Sequence, residues 1–231
     1  FTDMKIDGKD VYPKLHDKLK ESGFDKKEPI SKQLYDIYGL YPAPGDRHVG
    51  EFFPYYMKEE VLMEQDYEWK NNDFKVVDGW REEARVLFDE VRTKKEGYEE
   101  FLKGSGETAT YFIRSLATGD ISDEMVNVIN NGYIDNVSSG IIVELPTYID
   151  EFGLHPQKIG KLPDAIATQC DRLGREYLLM VEAAATCNYE LARQAMFLDP
   201  LVSNCKYPEL LLKDLIRANL DLLPEAWEKH C

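Results

Sequence analysis

The sequence predicts an α+β fold, a mainly helical domain with a small central β-sheet. Apolar residues recur at three- and four-residue steps through Trp80, Ala84, Leu87, Phe88, Val91, Tyr98 and Leu102, and the same spacing returns across 107–118 and 163–186, the signature of amphipathic helices. The middle of the chain changes character: Val126-Asn127-Val128 alternates into an Asn130-Asn131-Gly132 turn, and a second β-rich run follows at 140–149. The 231 residues, 43% hydrophobic and 12% aromatic, suffice for one large core or two small ones.

Taken in order, Tyr12-Pro13 opens a helical stretch, and Pro29-Ile30-Ser31 starts a second through Leu34, Ile37 and Tyr38. Their sparse apolar positions read as surface helices. Gly39, Pro42, Pro44 and Gly45 then precede the ionisable run Asp46-Arg47-His48, a loop or a turn into a helix. The aromatic Phe52-Phe53-Pro54-Tyr55-Tyr56 is either a sugar-facing wall or plain core. A long amphipathic helix is expected over 77–102 and another over 107–118, stopped at Gly119-Asp120. A strand over 125–134 enters the Asn-Asn-Gly turn, and the second strand ends at Asp150-Glu151-Phe152-Gly153. Pro163, at a first-turn position, leads a helix to Thr186 with Ile166, Cys170, Leu173, Tyr177, Met180, Val181 and Ala184 on one face. Helices over 189–198 and 208–223 finish the chain.

Composition excludes several functions. With 28 Lys and Arg against 43 Asp and Glu, the net charge is −15, which argues against nucleic acid or an anionic membrane as partner. No stretch approaches the roughly 20 apolar residues of a membrane span, and Phe1-Thr2-Asp3-Met4-Lys5 lacks signal architecture. Cys170, Cys187, Cys205 and Cys231 lie in the last quarter with no pair two residues apart, and read as reduced thiols of a cytoplasmic protein. Among His16, His48, His155 and His230, only the terminal His230-Cys231 pair sits at ligand spacing from a cysteine, and it reads as a tail. No phosphate-cradling Gly-rich loop, nucleophile elbow or His-Glu-x-x-His pair is present.

Three ordered motifs carry a resemblance. The first is Gly39, Pro42, Gly45-Asp46-Arg47-His48, Glu51-Phe52 and Pro54; the second is Asn127, Asn130-Asn131-Gly132, Ile134 and Asn136; the third is Val143-Glu144, Pro146, Tyr148, Asp150, Gly153 and His155-Pro156. In spacing and order they resemble glycoside hydrolase family 4. Gly160, Leu162-Pro163, Val181-Glu182-Ala183-Ala184 and Asp199-Pro200 are similar to the end of that family's chains. Gly8-Lys9-Asp10 with Tyr12-Pro13 is similar to the segment that follows its metal-binding Asn-His motif. The resemblance covers nearly the whole chain and implies the C-terminal domain of these enzymes, which is like that of lactate and malate dehydrogenases.

It also implies an activity outside the usual two-carboxylate scheme. In family 4, NAD takes hydride from the sugar C3, a base removes the acidified C2 proton, the aglycone is eliminated, water adds and the hydride returns. A divalent metal, usually manganese, stabilises the enolate. Members acting on unphosphorylated sugars use an acid where phospho-glycosidases use Tyr, so the resemblance assigns the C2 base to Asp46; the same residue would equally cap a helix after Gly45. Arg47 and His48 are candidate contacts to sugar hydroxyls or a carboxylate, with a solvated loop as the plain alternative. Asn130 and Asn131 carry amides that donate and accept, suited to sugar hydroxyls, although Asn-Gly is also a standard turn pair. His155 reads as a structural end to the sheet turn.

The family's N-terminal half carries the Rossmann NAD loop and the metal ligands, motifs without counterpart in these 231 residues. The main ligands of NAD and manganese are therefore expected outside this chain. The organisation expected is one substrate-binding and oligomerisation domain over 1–231, completed by a companion chain or cut from a longer one, and inactive alone. The resemblance implies a homo-oligomer, dimer or tetramer, with the helices around 80–102 and 164–185 as candidate contacts, packing within one subunit being the equal alternative. The Gly-Asp-Arg-His version resembles that of α-galacturonidases and α-galactosidases more than that of the phospho-glucosidases, and with no obvious basic cluster for a 6-phosphate the resemblance implies a small carbohydrate, an α-galactoside or α-galacturonide, with Arg47 suited to a uronate carboxylate. An α-glucoside, or a non-catalytic carbohydrate-binding or scaffolding domain, stays open.

Overall fold

The computed structural model describes residues 5–6, 8–21, 28–58, 74–94, 98–99, 108–203 and 205–230. In chain order these form β1 (Lys5–Ile6), β2 (Lys9–Asp10), α1 (Tyr12–Glu21), α2 (Pro29–Tyr38), α3 (Asp46–Glu51), α4 (Phe74–Lys94), α5 (Ala109–Thr118), β3 (Ser122–Ile129), β4 (Ile142–Asp150), β5 (Gly153–Pro156), α6 (Asp164–Thr186), α7 (Tyr189–Leu198) and α8 (Pro208–Ala218), with 3-10 turns at Pro200–Val202 and Glu225–His230. The expected helix over 77–102 is α4 as far as Lys94; residues 95–97 and 100–107 lie outside the described residues, as do Phe1 and Cys231. The chain divides into two compact units, one of Phe1–Asp66, Asn136–Ile141 and Lys161–Cys231, the other of Tyr67–Asp135 and Ile142–Gly160.

The second unit holds an antiparallel sheet in the order β3-β4-β5, with Val126 opposite Leu145 and Ile129 opposite Ile142. Side chains alternate along β3 between half-buried and exposed, as a strand with one covered face must, and Leu145, Thr147 and Ile149 of β4 are buried. α5 packs against β3 and β4 and stops at Gly119, whose φ of 77° and N–H bond to the Ser115 carbonyl (3.0 Å) make a left-handed helix end that favours glycine. The first strand ends at Ile129 rather than near 134. Asn130 leaves the ladder because its side chain clasps the backbone of Ile134, accepting from its N–H (3.0 Å) and donating to its carbonyl (3.1 Å).

In the first unit, α2 departs from its expected surface placement: Ile30, Ser31, Leu34 and Tyr35 are all buried. The long α6 also turns differently from expectation. Tyr177, Met180 and Val181 of its apolar stripe are exposed, whereas Ala167, Glu176 and Ala183 are buried. Ala167 shares its face with Gly174, where the approach is close: a Cβ on Gly174 would sit 2.5 Å from Cδ1 and 2.9 Å from Cβ of Ile141, so a side chain larger than glycine's forces a shift there; Glu176 and Ala183 are buried on the opposite face. Asn136 fixes the neighbouring segment by donating to the Leu162 carbonyl (2.8 Å) and accepting from its N–H (3.0 Å). Leu212, Ile216 and Trp227 form a further core against Cys187, Met196 and Leu223. A cavity of about 300 Å³ beside it is apolar apart from Asp199 and offers no polar set for a sugar.

Candidate functional site

The candidate residues lie on two elements in different units: Asp46, Arg47 and His48 on α3, Asn130 and Asn131 after β3. α3 starts after Gly45, whose extended backbone (ψ 167°) turns the chain so that Asp46 opens the helix. The N-terminus of α2 lies beside it. Pro29 occupies the first helical position and has no N–H to satisfy. The next two amides, of Ile30 and Ser31, donate to Oδ2 and Oδ1 of Asp46, each at 2.7 Å, and that of Lys32 donates to the Glu28 carbonyl at 3.0 Å. The orphan donors of that helix end are thus all satisfied. Asp46 caps a helix, as one reading of the sequence had it, but the helix lies sixteen residues upstream.

Glu28 returns the contact by accepting from the backbone N–H of Asp46 at 2.7 Å. Burial pushes the Glu28 carboxyl above the ordinary carboxylate range; the Asp46 N–H opposes this, and the nearby Asp46 carboxyl adds to it. Tyr41 borders the pair, its phenol pushed up to about 12 by burial first, with Ser31 opposing and the charges of Glu28 and Asp46 adding. It is therefore a neutral hydroxyl at any working pH. Its backbone N–H donates to the Tyr12 hydroxyl (2.6 Å), and the Tyr35 ring packs against Tyr12, His16 and Tyr41.

His48 is exposed, its Nδ1 3.6 Å from Oε2 of Glu51 on the same helix. Arg47 lies in α3, but its side chain is outside the described residues. The plain-core reading of the aromatic segment holds for Tyr56. Tyr56 is core and donates to Oε1 of Gln33 (2.7 Å), whereas Tyr55 packs edge-on to it (5.2 Å) and is exposed. The end of α3 is held by Arg172, which donates to the carbonyls of Phe52 (3.0 Å) and Leu198 (2.9 Å).

In the other unit, Asn130 is 1% exposed, its amide engaged with Ile134, while Asn131 at the tip of the turn is exposed. The turn is closed by the Asp135 N–H on the Gly160 carbonyl (2.8 Å) and by the Ile159 N–H on the Tyr133 carbonyl (2.9 Å). His155 bonds Asp150 (2.8 Å) and stacks on Tyr148, a structural post at the end of the sheet. Sequence reading missed Glu28, Tyr41 and Arg172. Glu28-Pro29 was a legible helix start, but nothing in its spacing tied it to Asp46.

Among the described residues no group of three or more His, Cys, Asp or Glu stands close enough to hold a metal ion, and no helix is long and apolar enough to cross a membrane. The residues described do not by themselves fit manganese.

Residues 1–202 match the family described as Family 4 glycosyl hydrolase C-terminal domain. The chain belongs to glycosyl hydrolase family 4. Its family 4 relatives include an alpha-galactosidase of Bacillus subtilis strain 168, 29% identical over 96% of this chain and 52% of that protein. An alpha-galacturonidase of Thermoanaerobacterium saccharolyticum is 30% identical over 94% of this chain and 50% of its own. A crystal structure of a 6-phospho-alpha-glucosidase from gut microorganisms, in complex with NAD and glucose-6-phosphate, superposes with a TM-score of 0.78 at 25% identity, covering 97% of this chain and 52% of that one. The chain spans about half the length of the curated family 4 relatives it matches. The mainly helical fold with a small antiparallel sheet, expected from periodicity, is that of the family's C-terminal domain.

Proposed function

We propose that this chain is the sugar-facing half of a glycosidase that hydrolyses α-galactosides or α-galacturonides by the NAD- and manganese-dependent course of its family. The observation that carries the reading is the family match across residues 1–202, joined to relatives that are an alpha-galactosidase and alpha-galacturonidases. NAD and manganese are assigned to ligands outside this chain, and no step is derived through them. Within the chain, Asp46 is the base for a substrate carbon-bound proton. Its carboxylate is fixed by two backbone amides, each oxygen retaining a further lone pair to receive a proton. Arg47 and His48 follow on the same helical turn as contacts to the sugar or its carboxylate. Asn131 offers an exposed amide to hydroxyl groups, and Asn130 serves the same turn by holding its shape. A homo-oligomer would cover the apolar side chains left open, Trp80 and Phe88 on α4 and Val181 on α6.

The test is an assay of the parent enzyme on aryl α-galactosides and α-galacturonides with NAD and Mn²⁺, together with exchange of the substrate C2 proton in D₂O. Asp46→Asn is expected to abolish exchange. Near-normal exchange in that variant removes Asp46 from the base role, and activity confined to α-glucosides overturns the substrate reading.

A further inference from the structure

Asp46, Arg47 and His48 stand on a helix of only six residues, α3, too short to hold its direction by hydrogen bonds within itself. Each end is tied to other elements of the same compact unit. At the amino-terminal end the tie is Asp46, through the amides of Ile30 and Ser31. At the other end the chain tightens into turns, the Phe52 N–H donating to the Val49 carbonyl (3.2 Å) and the Phe53 N–H to the Gly50 carbonyl (3.1 Å). There the Phe52 carbonyl accepts from Nη2 of Arg172 (3.0 Å), 120 positions further along the chain.

Arg172 reaches this point from α6. Its Nη1 donates to the carbonyl of Leu198 (2.9 Å), the last residue of α7. Oε1 of Gln169, one turn earlier in α6, accepts from Nε (3.4 Å) and Nη2 (3.3 Å) and so orients the guanidinium plane. α3 and α7 thus end on one side chain. Helix ends leave unsatisfied carbonyls that carry partial negative charge, and two such ends repel when brought together. A cation with donors on two rigid arms satisfies both and removes the repulsion.

We propose that Arg172 is the positioning residue of α3: with Asp46 fixed at one end, it sets the direction in which the helix runs and hence where Arg47 and His48 meet the substrate. The proposal rests on the reading of these three as the residues that meet the sugar. Phe52 stands six residues after Asp46, about 9 Å along a helix, so loss of the far tie lets α3 swing about the near one. Asp46 stays with Ile30 and Ser31 while the residues that follow it turn away. The two ties therefore differ in kinetic signature: proton removal depends on the first, substrate binding on the second.

The experiment is Arg172→Ala in the parent enzyme, read in two ways. Hydrogen exchange without substrate should quicken at the amides of Phe52 and Phe53, while those of Ile30 and Ser31 keep their protection. Unchanged exchange at Phe52 and Phe53, or an equal loss at both ends of α3, overturns the proposal. On the aryl glycoside that the enzyme turns over, KM should rise about 10-fold, the loss of one hydrogen bond to a charged group, with kcat held within about threefold. A merely structural role moves neither constant in folded enzyme, so unchanged values overturn the proposal, as does a fall in kcat at constant KM.

Should Arg172→Ala fail to fold, Arg172→Lys decides. An ammonium keeps the charge but not the planar two-armed fork, so the same two readings should shift in the same direction by a smaller factor, and wild-type values in both overturn the proposal. The exchange measurement involves no catalysis. Unchanged exchange at Phe52 and Phe53 therefore fails the positioning role alone, whereas a loosened α3 in Arg172→Ala with normal C2 exchange in Asp46→Asn fails the base assignment alone.

Discussion

Asp46→Ala tests how much of α2 hangs on one side chain. The substitution frees the N–H groups of Ile30 and Ser31, which now donate at 2.7 Å each, and both residues are 0% exposed, so water does not replace the lost acceptor. An orphaned buried donor costs about 1–3 kcal/mol, and a negative charge at a helix N-terminus adds ~0.3–1 kcal/mol. With two donors released, a loss of about 3 kcal/mol is expected. Asp46→Asn keeps one acceptor and points its NH₂ at the other amide, so it should lose about half as much. The assay is urea unfolding at pH 7, comparing midpoints at constant slope. A loss below about 0.5 kcal/mol for Asp46→Ala, the range of an uninvolved surface change, refutes the capping geometry. The result also sets how activity loss in Asp46→Asn is read, since part of it then reflects the population folded.

Two further outcomes follow from packing and charge. Gly174→Ala gains about 1 kcal/mol of helix propensity but places a methyl 2.5 Å from Ile141 Cδ1 and 2.9 Å from its Cβ, an overlap costing about 1–3 kcal/mol; net destabilisation in chemical unfolding is expected, and a more stable variant sinks the close-approach argument. Glu176 is 1% exposed, its carboxyl raised from 4.5 to about 7 by burial first, with the Asp199 charge adding and Arg172 opposing. A carboxyl bound more tightly to its proton when folded gives stability that is complete below about pH 4.5 and lost as pH rises to about 7, roughly 3 kcal/mol in all. Glu176→Gln should therefore gain on the wild type across that window in unfolding measured at several pH values, and a difference independent of pH counts against the assignment.

What was legible in the sequence was local. Helices with a 3.6-residue period, an alternating strand, expected over 125–134 and found at Ser122–Ile129, and the Asn-Asn-Gly turn announce themselves within a few residues. The order of the three motifs was enough to place the chain in its family. The orientation of α6 was not legible, because periodicity marks an apolar stripe without saying whether Ile141 or solvent faces it. The bond between Asp46 and α2 spans sixteen residues and obeys no spacing rule, so neither the cap nor its reply from Glu28 was visible. Asn130 looked like an exposed turn amide; its burial depends on Ile134 folding back over it.

The six residues Asn136–Ile141 leave the sheet unit, belong to the other, and return to begin β4. The hairpin of β3 and β4 is therefore closed through a loop whose tip is anchored elsewhere, by Asn136 on Leu162, by the Ser138 N–H on Asp171 (2.7 Å) and by Ile141 against Gly174. Neither unit is one continuous stretch of chain, so no single cut releases either of them whole. The interleaving ties the folding of the sheet to that of α6, and a substitution at Gly174 should be felt in the exchange protection of β3 and β4 as well as in its own helix.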